Sequence, residues 1–147
     1  MVSGTSALTL SAYRYTERPQ EYAALYEEVF AQPPGPYVPS EVLVGQNATG
    51  ECVGFLGVYL VDAGTAMIQA AGLTHQTRHA GGSLRWVSQA LDYLHQRVWH
   101  VMAEVPQTNL PALRLALKAG FLIMGTRLAP DGSLLVLIRH TKESSHG

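Results

Sequence analysis

The most constraining feature of the sequence is an apolar segment that runs through a glycine-rich turn into an amphipathic helix. The segment Thr65 to Thr74 has Gln69 as its only strongly polar residue, which is typical of a buried central strand. Gly81, Gly82 and Ser83 follow. Apolar residues then recur at steps of three and four, at Leu84, Val87, Leu91, Leu94 and Val98. This order predicts a strand and a helix packed in an α/β fold.

The remaining elements are predicted from hydrophobic periodicity and turn residues. We expect strands at 8–15, 41–45, 51–62, 65–74, 99–105, 121–128 and 133–139, and helices from Pro19, after Ser83 and from Leu110 to Ala119. Asn109 precedes the last helix as a predicted N-cap. The resulting order predicts an α/β (α+β) domain over residues 1–147, with its core at about 5–140, a mixed sheet of about 6–7 strands and a polar tail from 141.

Charge and cysteine content argue against several classes of protein. The net charge of −1 and the absence of a Lys/Arg cluster argue against nucleic-acid binding. The longest apolar stretch, Cys52 to Val61, is too short to span a bilayer, and Met1 to Gly4 lacks the start of a signal peptide, so we expect a cytoplasmic protein without a membrane partner. Cys52 is the only cysteine, and the histidines show no metal-ligand spacing, so no disulfide and no metal site are expected.

The low content of charged residues predicts a partner surface. Asp, Glu, Lys and Arg make up 14% of the chain, against about 25% in typical soluble domains. We therefore expect part of the surface to be covered, either in a homo-oligomer or in a larger assembly, and composition does not separate these two.

Three motifs in the predicted element order resemble the GNAT family of acyl-CoA N-acyltransferases. Residues 78–83, Arg-His-Ala-Gly-Gly-Ser, are similar to the family's Arg/Gln-x-x-Gly-x-Gly/Ala loop between a central strand and a helix. Residues 109–121 resemble Asn-x-x-Ala-x-x-Leu-Tyr-x-x-x-Gly-Phe, and residues 50–55 resemble the strand motif that ends in Val-Gly-Phe. The resemblance covers about residues 5–140 and implies the GNAT fold, in which two central strands splay apart.

The resemblance implies acetyl-CoA as co-substrate and assigns residues to it. The loop would hold the pyrophosphate through the backbone amides of five residues, namely His79, Ala80, Gly81, Gly82 and Ser83. The side chain of Arg78 would add positive potential. Leu73 and Thr74 would offer backbone groups to the pantetheine and thioester. The helix that carries Asn109 and Ala112 would lie beside the pantetheine, and Asn109 has a plain N-cap role as its alternative.

The sequence departs from the family pattern at the two positions that usually supply acid and base. Ala116 stands where the family has its Tyr acid, and Gln69 stands at the position of the usual Glu base. An amide cannot take the proton that the amine must lose. His75 and Glu104 are the candidate substitutes for the base, and three tyrosines are candidate substitutes for the acid, namely Tyr13, Tyr59 and Tyr93.

Two functions remain open at this point. The first is an N-acetyltransferase that moves an acetyl group from acetyl-CoA to a primary amine of a small molecule or peptide. The second is a binding or structural protein that keeps the GNAT fold without turnover, for example a subunit of a virus particle; Ala116, Gln69 and the low charge content favour it.

Overall fold

The computed structural model describes residues 8–74 and 82–143. These ranges contain, in chain order, β1 (Thr9–Arg14), α1 (Pro19–Phe30), β2 (Glu41–Gln46), β3 (Cys52–Asp62), β4 (Thr65–Leu73), α2 (Ser83–Leu94), β5 (His100–Pro106), α3 (Leu110–Lys118), β6 (Leu122–Leu128) and β7 (Leu134–Thr141). This is the predicted order. The last strand includes Thr141, the first residue of the predicted polar tail.

The ends of the helices follow local chemistry. Pro19 opens α1, where its missing N–H costs no helical hydrogen bond, and Ala31 ends α1 in the left-handed conformation with φ of 58°. Before α3, the Asn109 side chain accepts a hydrogen bond from the Ala112 N–H, as predicted for an N-cap. Among residues 8–74 and 82–143, no helix is long and apolar enough to cross a membrane.

The seven strands form one mixed sheet in the order β1-β2-β3-β4-β5-β7-β6. Every neighbouring pair is antiparallel except β4 and β5, which are parallel because the connection between them includes α2. The fold class predicted from the sequence is therefore confirmed.

The parallel pair separates halfway along its length. Its ladder runs from Thr65–His100 to Ile68–Ala103 and stops there. Beyond that point β4 stays paired with β3 as far as Leu73, and β5 stays paired with β7 as far as Pro106. The two central strands thus separate, as the resemblance implies.

A β-bulge lies where the separation begins. Gly57 pairs with Ala70 and Val58 pairs with Ile68, so Gln69 is an extra residue in β4. A bulge bends its strand and increases the local twist. The bend directs the end of β4 away from β5, and a wedge-shaped split opens between the two strands.

The two faces of the sheet carry different helices. Buried side chains of α2 and α3, such as Trp86 and Ala116, pack against one face in a core that extends from β2 to β7. On the other face α1 packs through Tyr22 against side chains of β1 to β4, such as Val44 and Phe55. We call these the α2 face and the α1 face.

A pair of glycines fixes the position of α2. Gly45 and Gly54 are partners in the β2–β3 ladder, and Trp86 packs over both. A Cβ at Gly45 would lie 2.8 Å from the indole carbon Cε3, and a Cβ at Gly54 would lie 2.9 Å from the indole Nε1. The indole is only 1% exposed. The beginning of α2, three residues before Trp86, is thereby held beside the sheet.

We predict that Gly45→Ala and Gly54→Ala each lower the free energy of unfolding by about 1–3 kcal/mol, because the added methyl group displaces the buried indole. Denaturant unfolding with tryptophan fluorescence measures the loss. Gly35→Ala is the matched control, since a Cβ at Gly35 has nothing within 4 Å. Equal stability of all three variants would contradict the packing described for Trp86.

Candidate active site

The β4 side of the split presents backbone groups that have no partner strand. The Thr74 N–H donates to the Val53 carbonyl at 3.1 Å, so it points toward β3. Successive residues of a strand direct their amides to opposite edges, which turns the backbone groups of Leu73 and Ala71 toward the split. Of the two residues predicted to contact the cofactor through their backbone, Leu73 faces the split and the Thr74 amide does not.

The β5 side of the split begins at Glu104. The Gln107 N–H donates to the carbonyl of Leu134 in β7 at 2.9 Å, so Gln107 faces β7. Because successive residues of a strand face opposite edges, Glu104, three residues earlier, faces β4.

The Pro106 carbonyl accepts a hydrogen bond from the Asn109 N–H at 2.9 Å, which links the end of β5 to the start of α3. The last step of the parallel ladder uses the Glu104 N–H, and Pro106 has no N–H. The backbone groups available to a ligand are therefore mainly those of Ala71 and Leu73 on the β4 edge, with the Glu104 carbonyl on the β5 edge.

The N-terminus of α2 lies over β2 and β3, near the end of β4, because Trp86 packs on Gly54 and Gly54 pairs with Leu73. Gly82 is the N-cap, and its carbonyl accepts the first helical hydrogen bond, from the Trp86 N–H at 3.0 Å. The amides of the first turn have no partner within the helix, and the helix dipole is positive there. Gly82 and Ser83 are thus placed as predicted at a helix start. The other predicted loop residues lie outside the described residues, namely Arg78, His79, Ala80 and Gly81, and so does the candidate base His75.

Gln69 connects the bulge to the segment between α1 and β2. Its side-chain Nε2 donates to the Tyr37 carbonyl at 2.5 Å, and the side chain is half-buried. The residue at the usual position of the base therefore holds a loop through its amide. A carboxylate at this position would repel the carbonyl oxygen, so the amide suits this contact better than the acid does.

Glu104 is a carboxylate beside the split, and it is paired. Its side chain lies on the α1 face, where both carboxylate oxygens accept hydrogen bonds from Arg127 of β6, one of them from Nη2 at 2.8 Å. The guanidinium lowers the pKa of Glu104, with burial opposing it more weakly. Lowering the pKa makes the carboxylate a poorer proton acceptor. Glu104 therefore lies beside the split, but its carboxylate is held in an ion pair with Arg127.

The side chains considered as acids lie at different distances from the split. Ala116 is buried in the core of the α2 face and offers no hydroxyl. Tyr13 lies on β1, three strands from β4, and burial raises its pKa to about 12. Tyr93, near the C-terminal end of α2, donates to Glu41 at 3.3 Å. Tyr59 is the nearest of the three, because it pairs with Met67 of β4 on the α1 face.

Two predicted cofactor residues lie at the start of α3, Asn109 as its N-cap and Ala112 in its first turn. Asn109 caps the helix through its bond to the Ala112 N–H at 3.3 Å, so the alternative role considered for Asn109 is present. Contacts of either residue with a cofactor remain predictions.

Sequence reasoning missed Tyr37 and Arg127. Tyr37 contacts Gln69 through its backbone carbonyl, and Arg127 reaches Glu104 across β7. Neither contact has a local sequence signal. Within 8–74 and 82–143 no cluster of three or more His, Cys, Asp or Glu side chains has a geometry that could hold a metal ion.

No protein-family model and no curated protein sequence matches the chain. Solved structures do match it. The ribosomal-protein-S18-alanine N-acetyltransferase from Escherichia coli is 17% identical, with a TM-score of 0.71 over 95% of this chain and 97% of that one. Ard1 from Thermoplasma volcanium is 18% identical, with a TM-score of 0.71 over 94% and 99%.

A third structure, the spermidine N-acetyltransferase from Vibrio cholerae in complex with CoA and spermine, is 16% identical, with a TM-score of 0.69 over 91% of this chain and 95% of that one. The likeness extends over nearly the full length of each protein. The chain therefore has the fold of these N-acetyltransferases, the GNAT fold, as its motifs imply.

Proposed function

We propose that this protein is an acetyl-CoA-dependent N-acetyltransferase that acts on a primary amine. The observation that supports it most directly is the split between β4 and β5, which begins at the Gln69 bulge and leaves the backbone groups of Ala71 and Leu73 unpaired along its β4 edge. Unpaired backbone groups inside a sheet call for a ligand or water. An extended pantetheine chain fits this requirement because it carries amide groups of its own.

The proposed cofactor contacts combine the split with the start of α2. The first-turn amides that follow Gly82 favour a pyrophosphate through unpaired N–H groups and the helix dipole. The backbone N–H and C=O groups of Ala71 and Leu73 that face the split suit the amides of the pantetheine. In this proposal residues 78–81 complete the pyrophosphate site, and Asn109 lies on the opposite side of the pantetheine.

Catalysis in this proposal relies mainly on positioning. Acetyl-CoA supplies the acetyl group as a thioester. The Leu73 N–H, which faces the split, serves as a donor for negative charge that develops on the acyl oxygen. Gln69 cannot accept a proton, and Glu104 is engaged with Arg127. We retain His75, two residues after β4, as the candidate base for the amine proton.

One group of observations favours a second function, in which the protein binds acetyl-CoA without turnover or serves as a structural subunit. Ala116 is buried and has no hydroxyl, Gln69 is bonded to Tyr37, and Glu104 is bonded to Arg127. The usual acid is thus absent, the residue at the usual position of the base is an amide, and one of the two candidate substitutes for the base is held in an ion pair.

Calorimetry with acetyl-CoA and a thiol-release assay over a panel of amines separate these functions. The proposal predicts saturable acetyl-CoA binding and thiol release with at least one amine. Binding without release from any amine would favour the silent alternative. Absence of binding at millimolar acetyl-CoA would contradict both the N-acetyltransferase and the protein that binds acetyl-CoA without turnover.

We predict that Ser83→Glu weakens acetyl-CoA binding about 10-fold or more, because the new carboxylate would stand beside the pyrophosphate. The same substitution complements the helix dipole, so thermal stability should stay equal or rise. Ser88→Glu, an exposed position on the same helix, is the control and should retain wild-type affinity. Calorimetry and thermal unfolding measure the two quantities, and equal affinity of both variants would contradict the proposed pyrophosphate site.

We predict that Arg127→Gln raises the pKa of Glu104 toward its ordinary value, because the lowered pKa depends first on Arg127. In the unmodified protein the pair's contribution to stability is complete above the ordinary pKa of a glutamate. It is lost as pH falls through the lowered value. A carbon NMR titration of the carboxyl groups, assigned with Glu104→Gln, measures the change. Arg14→Gln, an exposed position on β1, should leave the titration unchanged.

A further inference from the structure

The α1 face of the sheet is only partly covered. The core that α1 forms includes residues of β1 to β4 and, among the described residues, none of β5, β6 or β7. We call the α1-side surface of β5, β7 and β6 the open face. It adjoins the split, because β5 forms one edge of both.

A single row of side chains crosses the α1 face just below the split. Cross-strand pairing connects Tyr59 with Met67, Met67 with Met102, Met102 with Arg139, and Arg139 with Leu122. Directly paired residues point to the same face. Arg139 therefore stands on the open face between two apolar neighbours, Met102 and Leu122.

Arg139 has no acceptor in the described part of the chain. It is half-buried, its Nε is buried without a hydrogen bond, and none of the ion pairs within 8–74 and 82–143 includes it. Glu104, the nearest acidic residue by register on this face, is engaged by Arg127 through both oxygens. A buried N–H without an acceptor is uncommon in folded proteins.

The chain has no other side-chain carboxylate for Arg139. It contains 11 Asp and Glu residues, and all of them lie within the described ranges. The strand residues of the open face thus contribute one closed ion pair, Glu104 with Arg127, and one uncompensated guanidinium. An oxyanion from outside the chain would complete this arrangement, because a guanidinium binds carboxylate or phosphate through two parallel N–H groups.

The open face is also the side from which the amine that receives the acetyl group would approach. Both α2 and α3 pack on the opposite face, so the proposed pyrophosphate site at the start of α2 belongs to that side. Strand spacings of about 4.8 Å and rises of about 3.3 Å per residue put the Arg139 Cα about 9 Å from the start of the split. A side chain of this length can reach a group attached a few bonds from an amine in the split.

We propose that Arg139 binds an anionic group of the acceptor, so that the substrate is an amine that also carries a carboxylate or a phosphate. This inference rests on the proposed N-acetyltransferase function. Arg139 acts as a specificity residue: its guanidinium pairs with the oxyanion and directs the amine nitrogen toward the split. A polyamine lacks the anionic group and gains nothing from Arg139.

The first test needs no turnover. The arginine Nε–Hε resonances of the ¹⁵N-labelled protein are followed during titration with N-acetyl-β-alanine, with its amide, and with phosphoethanolamine. We expect the Arg139 resonance, assigned by its loss in Arg139→Gln, to shift saturably with an anionic probe and not with the neutral amide. No saturable shift with either anion would overturn the proposal, whether or not the protein proves to be an enzyme.

The second test compares matched acceptors. β-Alanine is paired with its amide and phosphoethanolamine with ethanolamine, which separates carboxylate from phosphate as the source of the anion. We expect Arg139→Gln to lower kcat/KM for the anionic member about 10–100-fold, mainly through KM, with Arg139→Lys restoring part of the loss. The neutral member and the Arg14→Gln control should be unaffected.

The outcomes of the two tests are distinguishable. Absence of acetyl-CoA binding, or of turnover with every amine, contradicts the proposed function and leaves the NMR titration to decide Arg139. Equal losses for anionic and neutral acceptors overturn the specificity role. An Arg139→Gln variant that alters the sedimentation of the protein without affecting anion binding would identify the open face as an interface between copies, which also overturns it.

Discussion

The parallel pairing of β4 with β5 is the contact on which the proposed site depends, and it is short. The ladder ends at Ile68–Ala103 because Gln69 is an extra residue in β4 and bends the strand at that point. Each strand keeps its outer partner, so the sheet stays continuous below the split and opens above it. A longer parallel ladder would satisfy the backbone groups of Ala71 and Leu73 and leave no place for an extended ligand.

The helices give the split two different sides. Trp86 packs on Gly45 and Gly54 and holds the start of α2 over β2 and β3, so the positive end of a helix dipole lies on the α2 face. On the α1 face no described helix packs over β5, β7 and β6, which leaves Arg139 beside apolar neighbours without a carboxylate. Cofactor and amine substrate therefore have separate approaches in this account.

Hydrophobic periodicity predicted the elements because each one buries a face along its own segment, as in α2, where apolar residues recur every three or four positions. The Asn109 cap was predictable because it is also a local contact, to Ala112 three residues further along the chain. The Gln69 bulge was not, because it depends on how β4 pairs with β3. Glu104 with Arg127 and the isolation of Arg139 depend on register across three strands. Predictions for 75–81 lie outside the described residues.

The central claim is that the split binds the pantetheine of acetyl-CoA through the exposed edge of β4. Hydrogen exchange at single amides tests it most directly, because Ala71 and Leu73 face the split whereas the amide of Gly72 faces β3. The account predicts fast exchange at Ala71 and Leu73 in the free protein, marked slowing of these two amides with saturating acetyl-CoA, and a smaller change at Gly72. Exchange at Ala71 and Leu73 that is slow without ligand, or unchanged by saturating acetyl-CoA, would contradict it.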